Sequence, residues 1–150
     1  MPPPDATNAR ALRDALRALV LAHGALDDAR RPCGTPLPMP HAWALLELNH
    51  AGAMTVTELA SRLNIDRTNV SRLCARMESS GELTRETHPG DARARVLTLT
   101  EAGARLATSV DEASCAHFGD VMERLGDAPG ALRALTDLTH ALAHREEENP

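Results

Sequence analysis

Residues 64–81, NIDRTNVSRLCARMESSG, combine arginines with small hydrogen-bonding side chains at a spacing that suits contact with DNA. On a helix over residues 66–80, apolar side chains recur at three- and four-residue steps and form one face: Val70, Leu73, Cys74 and Met77. The opposite face contains no acidic residue. Arginine can bind a guanine edge, asparagine can bind an adenine edge, and serine or threonine can reach bases or phosphates. We predict that this helix reads a DNA major groove through Arg67, Thr68, Asn69, Ser71, Arg72 and Arg76, with a plain solvated helix face as the alternative.

A second group of candidate residues lies in the segment HPGDARAR, residues 88–95. Its turn residues place Arg93 and Arg95 near the tip of a hairpin, from which an arginine can enter the minor groove, where negative potential concentrates. Asp91 is acidic and therefore unsuited to contact DNA itself. We expect it to structure the wing by pairing its carboxylate with the guanidinium of Arg93. For Arg95 the alternative is a solubilising charge at a strand edge.

Helix-capping signals define the elements that position these side chains. Thr55 and Glu58 form the spacing of a capping box before the helix TVTELASRL (55–63), and Asp66 can cap the helix that follows. Upstream, apolar spacing predicts a first helix from Asp5 to about Arg31. The proline-rich segment 31–40 ends it, and a second helix, HAWALLELNH, stops near Gly52.

The spacing of apolar residues changes from helical to alternating after Gly81. ELTRETH and RVLTLT alternate by two around the turn PGDA, which predicts a two-stranded hairpin as the only sheet. Thr100 can cap a long helix over 101–125, and a last helix covers about 131–145. The predicted fold is mostly α with a small β-hairpin wing, a winged helix–turn–helix flanked by long terminal helices whose apolar stripes suit packing against a second copy.

The composition excludes several classes of function. The net charge is −5, yet residues 62–95 carry seven arginines against five acids, and all sixteen basic residues are arginine. No apolar run approaches the roughly 20 residues of a membrane span, which predicts a soluble, cytoplasmic chain. No Ser-His-Asp set, paired carboxylates or glycine-rich phosphate loop has a credible context, so we predict that the protein is not an enzyme and needs no cofactor.

The segment 40–103 resembles the multiple-antibiotic-resistance regulator (MarR) family of bacterial transcription factors. The residues that carry the resemblance are MTVTELASRLNIDRTNVSRLCARMESSGELTRE followed by DARARVLTLTEAG. The family pattern is a helix–turn–helix, a wing with Asp-x-Arg, and Leu-Thr-x-x-Gly at the start of the next helix. It is matched at five positions: Asp91, Arg93, Leu99, Thr100 and Gly103. Ala92 departs from the family, because many members have a basic residue there.

The resemblance implies one domain over 1–150, with dimerisation helices at 5–31 and 101–146 and a DNA-binding part at 38–100. It implies a homodimer on double-stranded DNA whose recognition helices read a palindromic operator in major grooves about 34 Å apart. It also implies a repressor released by a small aromatic or lipophilic effector. His41 and Trp43 would lie near the crevice that receives such a ligand.

Three alternatives remain open at this point. The winged helix can serve as a protein-interaction module that no longer binds DNA. Some relatives sense zinc at the same junction, for which the donors here would be Cys33, His41, Cys115, His117 or the pair His140 and His144. Others sense peroxide through an N-terminal cysteine, a role open to Cys33. We predict no metal site, and we expect Cys74 and Cys115 to be structural.

Overall fold

A computed structural model of the chain describes residues 5–27, 29, 31 and 34–147. For residues 146 and 147 it describes only the backbone. Its elements, in chain order, are α1 (Ala6–His23), α2 (Met39–Ala51), β1 (Met54–Thr55), α3 (Val56–Leu63), α4 (Arg67–Ser79), β2 (Leu83–His88), β3 (Asp91–Leu99), α5 (Glu101–Glu123) and α6 (Ala128–Glu147). The chain divides in sequence into two compact units after Ser114, within α5. The predicted class, mostly helical with a small wing, is confirmed. No helix in the described ranges combines the length and the apolar character needed to cross a bilayer.

The first helix is shorter than predicted. Asp5 caps it by accepting a hydrogen bond from the N–H of Thr7 (3.0 Å). The helix ends at His23, and the expected continuation to Arg31 is wrong. Gly24 adopts a left-handed conformation (φ 80°), and its N–H donates to the carbonyl oxygens of the preceding turn. Glycine takes this conformation without a steric cost, so it stops the helix although helical spacing of apolar residues continues beyond it.

The capping signals of the helix–turn–helix are confirmed. The hydroxyl of Thr55 accepts from the N–H of Glu58 (3.1 Å), and the carboxylate of Glu58 accepts from the N–H of Thr55 (2.7 Å). Asn64 turns the chain in the left-handed region (φ 51°). Asp66 then caps α4 by accepting from the N–H of Asn69 (3.0 Å). These contacts satisfy first-turn amides that would otherwise lack partners, so the start of both helices is fixed by local sequence.

The sheet has three strands in the order β1–β3–β2, where a two-stranded hairpin was predicted. The additional strand β1 pairs antiparallel with β3, Met54 opposite Leu97 and Thr55 opposite Val96. A strand of two residues is too short to show alternation in the sequence, which is why it was missed. The predicted hairpin forms, from Leu83 opposite Leu99 outward, with an irregularity between Thr87 and His88. Its second strand begins at Asp91, so the predicted turn PGDA and the predicted strand start at residue 95 are wrong, because Asp91 pairs with His88.

The core of the first unit is built from aliphatic side chains. Its largest fully buried members come from α2, α3, α4, β2 and β3: Leu45, Leu59, Val70, Cys74, Met77, Leu83 and Leu97. The predicted inner face of α4 is therefore confirmed, because Leu73 is buried as well. The two aromatic side chains, Trp43 and Phe118, are 39% and 42% exposed and do not belong to this core.

The two C-terminal helices have clear caps. The hydroxyl of Thr100 accepts from the N–H of Gly103 (3.0 Å), as the sequence predicted for the start of α5. The last helix begins at Ala128, ahead of the predicted 131. Asp127 accepts from the N–H of Gly130 (2.9 Å), and Pro129 fits a first turn because the proline ring favours helical φ and its missing N–H is not needed there.

Candidate nucleic-acid interface

The outward face of α4 carries the six residues predicted to contact DNA. Ser71 is half-buried, and the other five are exposed: Arg67, Thr68, Asn69, Arg72 and Arg76. The side chains at 70, 73, 74 and 77 anchor the helix from the opposite side. The helix therefore presents one continuous donor-rich surface on a buried apolar base.

The N-terminus of α4 orients one of these side chains. The side-chain amide of Asn69 donates to Oδ2 of Asp66, while the backbone N–H of Asn69 donates to Oδ1 of the same carboxylate. These two bonds leave the amide oxygen and the second amide hydrogen of Asn69 for another partner. An amide presented in this way retains an acceptor and a donor for an adenine edge.

The same capping contacts keep two carboxylates ionised. The backbone hydrogen bond from Asn69 lowers the pKa of Asp66 below its ordinary value. The backbone hydrogen bond to Thr55 likewise lowers the pKa of Glu58. Because a hydrogen bond to the charged form favours that form, both caps remain charged well below neutral pH.

Acid should weaken the start of α4 by protonating its cap. A folded-state pKa below the unfolded one contributes stability that is present above the unfolded pKa, about 3.9 for Asp, and is lost as pH falls through the folded pKa. We expect the melting temperature of the unaltered protein to fall toward that of Asp66→Asn between about pH 5 and pH 2, because asparagine caps without titrating. Thermal unfolding at a series of pH values measures the difference, and a difference independent of pH would contradict the assignment.

Asp91 structures the wing tip through a contact other than the predicted one. Its Oδ1 accepts from the backbone N–H of Arg93 (2.9 Å), where a carboxylate–guanidinium pair was expected. A short side chain near a turn reaches a backbone amide two residues on more readily than the end of a long arginine. The guanidinium of Arg95 donates instead to the hydroxyl of Thr87 on the neighbouring strand (2.8 Å). Arg93 and Arg95 are both exposed.

Five exposed arginines of α4 and the wing have no ion pair with a carboxylate of the described residues. Among the ion pairs of the described residues, none includes Arg67, Arg72, Arg76, Arg93 or Arg95. In contrast, Arg62 on α3 lies 3.3 Å from a carboxylate oxygen of Glu47. Uncompensated guanidinium groups on one surface attract a polyanion and supply the contacts that displace its counterions.

Arg85 belongs to the same region and was missed by the sequence reasoning. Its Nη2 donates to the backbone carbonyl oxygen of Ser71 (2.8 Å), which joins β2 to α4. Its Nε lies 3.4 Å from Oε2 of Glu78, also on α4. The signal in the sequence is its position two residues after Leu83, because side chains two apart in a strand share a face and this face is the buried one.

The two residues predicted to line a ligand crevice have different environments. Nε2 of His41 lies 2.6 Å from Oε2 of Glu82, and the two side chains are 19% and 14% exposed. Trp43 faces outward from α2. A cavity of about 570 Å³ is lined by Pro40 and by α4 residues that include Asn69, Arg72 and Arg76, and neither His41 nor Trp43 is among its lining residues.

The cysteines and histidines do not assemble into a metal site in the part of the chain that the structure describes, where no three His, Cys, Asp or Glu residues are placed to hold an ion. Cys33 lies outside the described residues. Cys74 is buried, and burial raises the pKa of its thiol, as expected for a structural role. Cys115 is exposed.

Comparison with known proteins adds to this geometry. The sequence profile of the MarR family matches residues 35–94, which include α2, the helix–turn–helix and most of the wing. The chain is 32% identical over 108 residues to the HTH-type transcriptional regulator ML2140 of Mycobacterium leprae, an alignment that covers 69% of this chain and 73% of that protein.

Two solved structures share the fold. Sco3205 of Streptomyces coelicolor, a MarR family regulator determined in complex with DNA, superposes with a TM-score of 0.75 at 24% identity, covering 93% of this chain and 87% of that one. BpsR of Bordetella bronchiseptica, whose DNA binding is regulated by 6-hydroxynicotinic acid, superposes with a TM-score of 0.67 at 20% identity, covering 90% and 91%.

Proposed function

The chain belongs to the MarR family of DNA-binding transcriptional regulators, and from that premise we propose how it binds its operator. Two copies form a homodimer, and each places α4 in a major groove of one half of a palindromic site. Arg67, Thr68, Asn69, Ser71, Arg72 and Arg76 contact bases and phosphates there. The observation that carries the proposal is the set of guanidinium groups on α4 and the wing that no carboxylate among the described residues pairs with.

The wing completes the proposed contact. Arg93 and Arg95 enter the adjacent minor groove, where two exposed arginines meet a narrow and strongly negative surface. Asp91 supports them through its bond to the backbone of Arg93. Ala92 gives no charge at the first position after Asp91, so these two arginines carry the contact.

Exposed apolar side chains support the homodimer. Large hydrophobic residues on α1, α5 and α6 are between 39% and 54% exposed in the single chain: Leu12, Leu19, Leu21, Phe118, Val121, Met122, Leu132, Leu135 and Leu142. Apolar patches of this kind on a soluble protein mark interaction surfaces. We propose that 1–150 acts as one domain, in which α1 and the segment 101–146 bind the same elements of a second copy and residues 38–100 read DNA.

A small aromatic or lipophilic effector is the proposed signal, by analogy with the regulation of BpsR by 6-hydroxynicotinic acid. We place its site at the cavity lined by Pro40, the residue that directly precedes the predicted ligand residue His41 in α2; Trp43 does not line this cavity. An occupant there would lie against Asn69, Arg72 and Arg76, so binding would compete with DNA and release a repressor. The protein would act in the cytoplasm, where its operator is.

Salt titration of duplex binding tests the proposal. For a duplex selected by the protein from random sequences, the logarithm of the binding constant should fall linearly with the logarithm of the salt concentration. The expected slope is about −0.9 per phosphate contact, because each contact releases counterions. A protein-interaction module on the same scaffold would bind no duplex at any salt concentration, and that result would refute the proposal.

The same assay on Arg72→Ala separates base contacts from phosphate contacts. If Arg72 contacts a base, the variant should lose about 1–3 kcal/mol of binding free energy on the selected duplex. It should lose less on a duplex in which that base pair is altered. Equal losses on every sequence would assign Arg72 to a phosphate. Arg62→Ala, whose arginine pairs with Glu47 on α2, is the control and should bind as the unaltered protein does.

A further inference from the structure

A small cleft lies between α4 and the wing. It measures about 190 Å³ and is lined by residues at the start of α3, by α4 and by both strands of the wing hairpin. Four of the lining residues are arginines: Arg67, Arg85, Arg93 and Arg95. The other lining residues include Thr55, Thr57 and Ser71, and none of them is acidic. The cleft thus combines a concentrated positive charge with hydroxyl donors, the chemistry that binds an oxyanion such as phosphate.

Arg85 differs from the other three arginines because it is anchored. Its side chain is 21% exposed, and its bond to the carbonyl oxygen of Ser71 fixes the guanidinium at the α4 side of the cleft. Its Nε is buried and has no hydrogen-bond partner among the described residues, although a carboxylate oxygen of Glu78 lies at ion-pair distance. A guanidinium has five N–H donors, so the bond to Ser71 leaves donors for an anion.

The remaining arginines add charge without local compensation. Arg67, Arg93 and Arg95 are exposed, and no ion pair among the described residues includes them. Like charges placed around one small volume repel each other, and an anion between them removes that repulsion. The arrangement is therefore more favourable with an oxyanion in the cleft than without one.

The path of a duplex identifies the oxyanion. If α4 lies in a major groove and the wing lies in the neighbouring minor groove, the sugar–phosphate strand that separates the two grooves must pass between them. The cleft occupies that position. We propose that it binds one backbone phosphate of this strand, and that Arg85 holds the phosphate and thereby sets the register of the protein on DNA. This inference rests on the proposed function, and it assigns a DNA contact to a residue outside the outward face of α4 and the wing tip.

Phosphate neutralisation tests the inference with the full-length protein. Duplexes selected by the protein would carry single uncharged methylphosphonate groups at successive positions along each half-site. Neutralising the one phosphate per half-site that lies in the cleft should weaken binding by the unaltered protein about tenfold, a loss typical of one hydrogen-bonded charge contact. Arg85→Gln should bind the unmodified duplex about tenfold more weakly and should be insensitive at that same position. Its salt slope should fall by about one contact for each protomer.

A second variant and a control make the result decisive. Because Arg85→Gln also removes the bond to Ser71 and can disturb the fold, Arg67→Gln is measured in parallel, since its side chain is exposed at the first residue of α4. Arg62→Gln, outside the cleft, should retain the full methylphosphonate response. Duplex binding with an unchanged slope and an unchanged response in both cleft variants would overturn the inference alone. Failure of the unaltered protein to bind any duplex would overturn the proposed function and this inference with it.

Inorganic phosphate distinguishes the two possible sources of the anion. Calorimetric titration of the DNA-free protein with inorganic phosphate should give no saturable binding below millimolar concentration, because one free phosphate lacks the neighbouring contacts of the duplex. Tight binding that is lost in Arg85→Gln, together with a flat methylphosphonate scan, would show that the cleft takes a free oxyanion effector and would overturn the assignment to DNA.

Discussion

Gly103→Ala should destabilise the protein by about 3 kcal/mol, at or above the upper end of the usual cost of overpacking. A β-carbon at this position would lie 1.8 Å from the carbonyl oxygen of Glu82 and 2.8 Å from its carbonyl carbon. These are backbone atoms, so a side-chain rotation cannot relieve the clash, and α5 must move away from the turn between α4 and β2. For a chain of this size the loss corresponds to a decrease of roughly 6–12 °C in melting temperature.

The displacement would also break contacts that meet at Glu82. Its carbonyl oxygen accepts from the N–H of Thr100 (3.0 Å), and its carboxylate lies 2.6 Å from His41. DNA affinity should therefore fall together with stability, because the turn that follows the recognition helix is displaced. Binding measured well below the melting temperature separates this effect from simple unfolding.

Gly119→Ala is the matched control, since it makes the same change in the same helix. Apart from the chain neighbours and the backbone of the helix itself, no atom of the described residues lies within 4 Å of a β-carbon built at Gly119. Alanine is favoured over glycine in a helix by up to about 1 kcal/mol, so the variant should melt at the same or a slightly higher temperature. Equal melting temperatures for the two variants would contradict the close approach at Gly103.

Leu135→Glu should abolish the homodimer at micromolar concentration and weaken operator binding by about 10²–10⁴-fold. Leu135 lies on the apolar stripe of α6 and is 47% exposed in the single chain. In the proposed dimer this side chain would be covered by a second copy, and an unpaired carboxylate there loses its hydration. Two linked half-site contacts exceed the affinity of one by that factor, which is the basis of the expected loss.

Analytical ultracentrifugation and duplex titration measure the two consequences of Leu135→Glu separately. Arg133→Glu introduces the same side chain at an exposed position of α6 outside the leucine stripe, so it should leave the dimer intact. A Leu135→Glu protein that remains a dimer would refute the assignment of α6 to the dimer interface. A monomer that binds the operator with full affinity would refute the need for two copies on DNA.

Much of the DNA-reading part could be predicted because its signals are local. The capping pair Thr55 and Glu58, the cap Asp66 and the three- and four-residue spacing of apolar residues in α4 each act within one or two turns. Such contacts depend on residues close in sequence, so their pattern can be read directly. The inner and outer faces of α4 followed from the same spacing.

The features that sequence reasoning missed depend on other parts of the fold or on a single residue. His41 meets Glu82 across 41 positions of the chain, and Arg85 meets Ser71 across 14. No spacing rule connects residues that only tertiary packing brings together. Helical spacing of apolar residues continues past Gly24, yet α1 ends there. A single residue in the left-handed conformation ends a helix even when a weak helical pattern continues in the sequence.

The short strand β1 has a mechanical consequence for regulation. It directly precedes α3 and pairs with β3, so the first helix of the helix–turn–helix is joined to the wing, while Arg85 joins the wing to α4. The helix–turn–helix is thus joined to the base of the wing at two places, so the two parts are expected to move together. In the proposed homodimer we therefore expect little bending between α4 and the base of the wing when an effector binds.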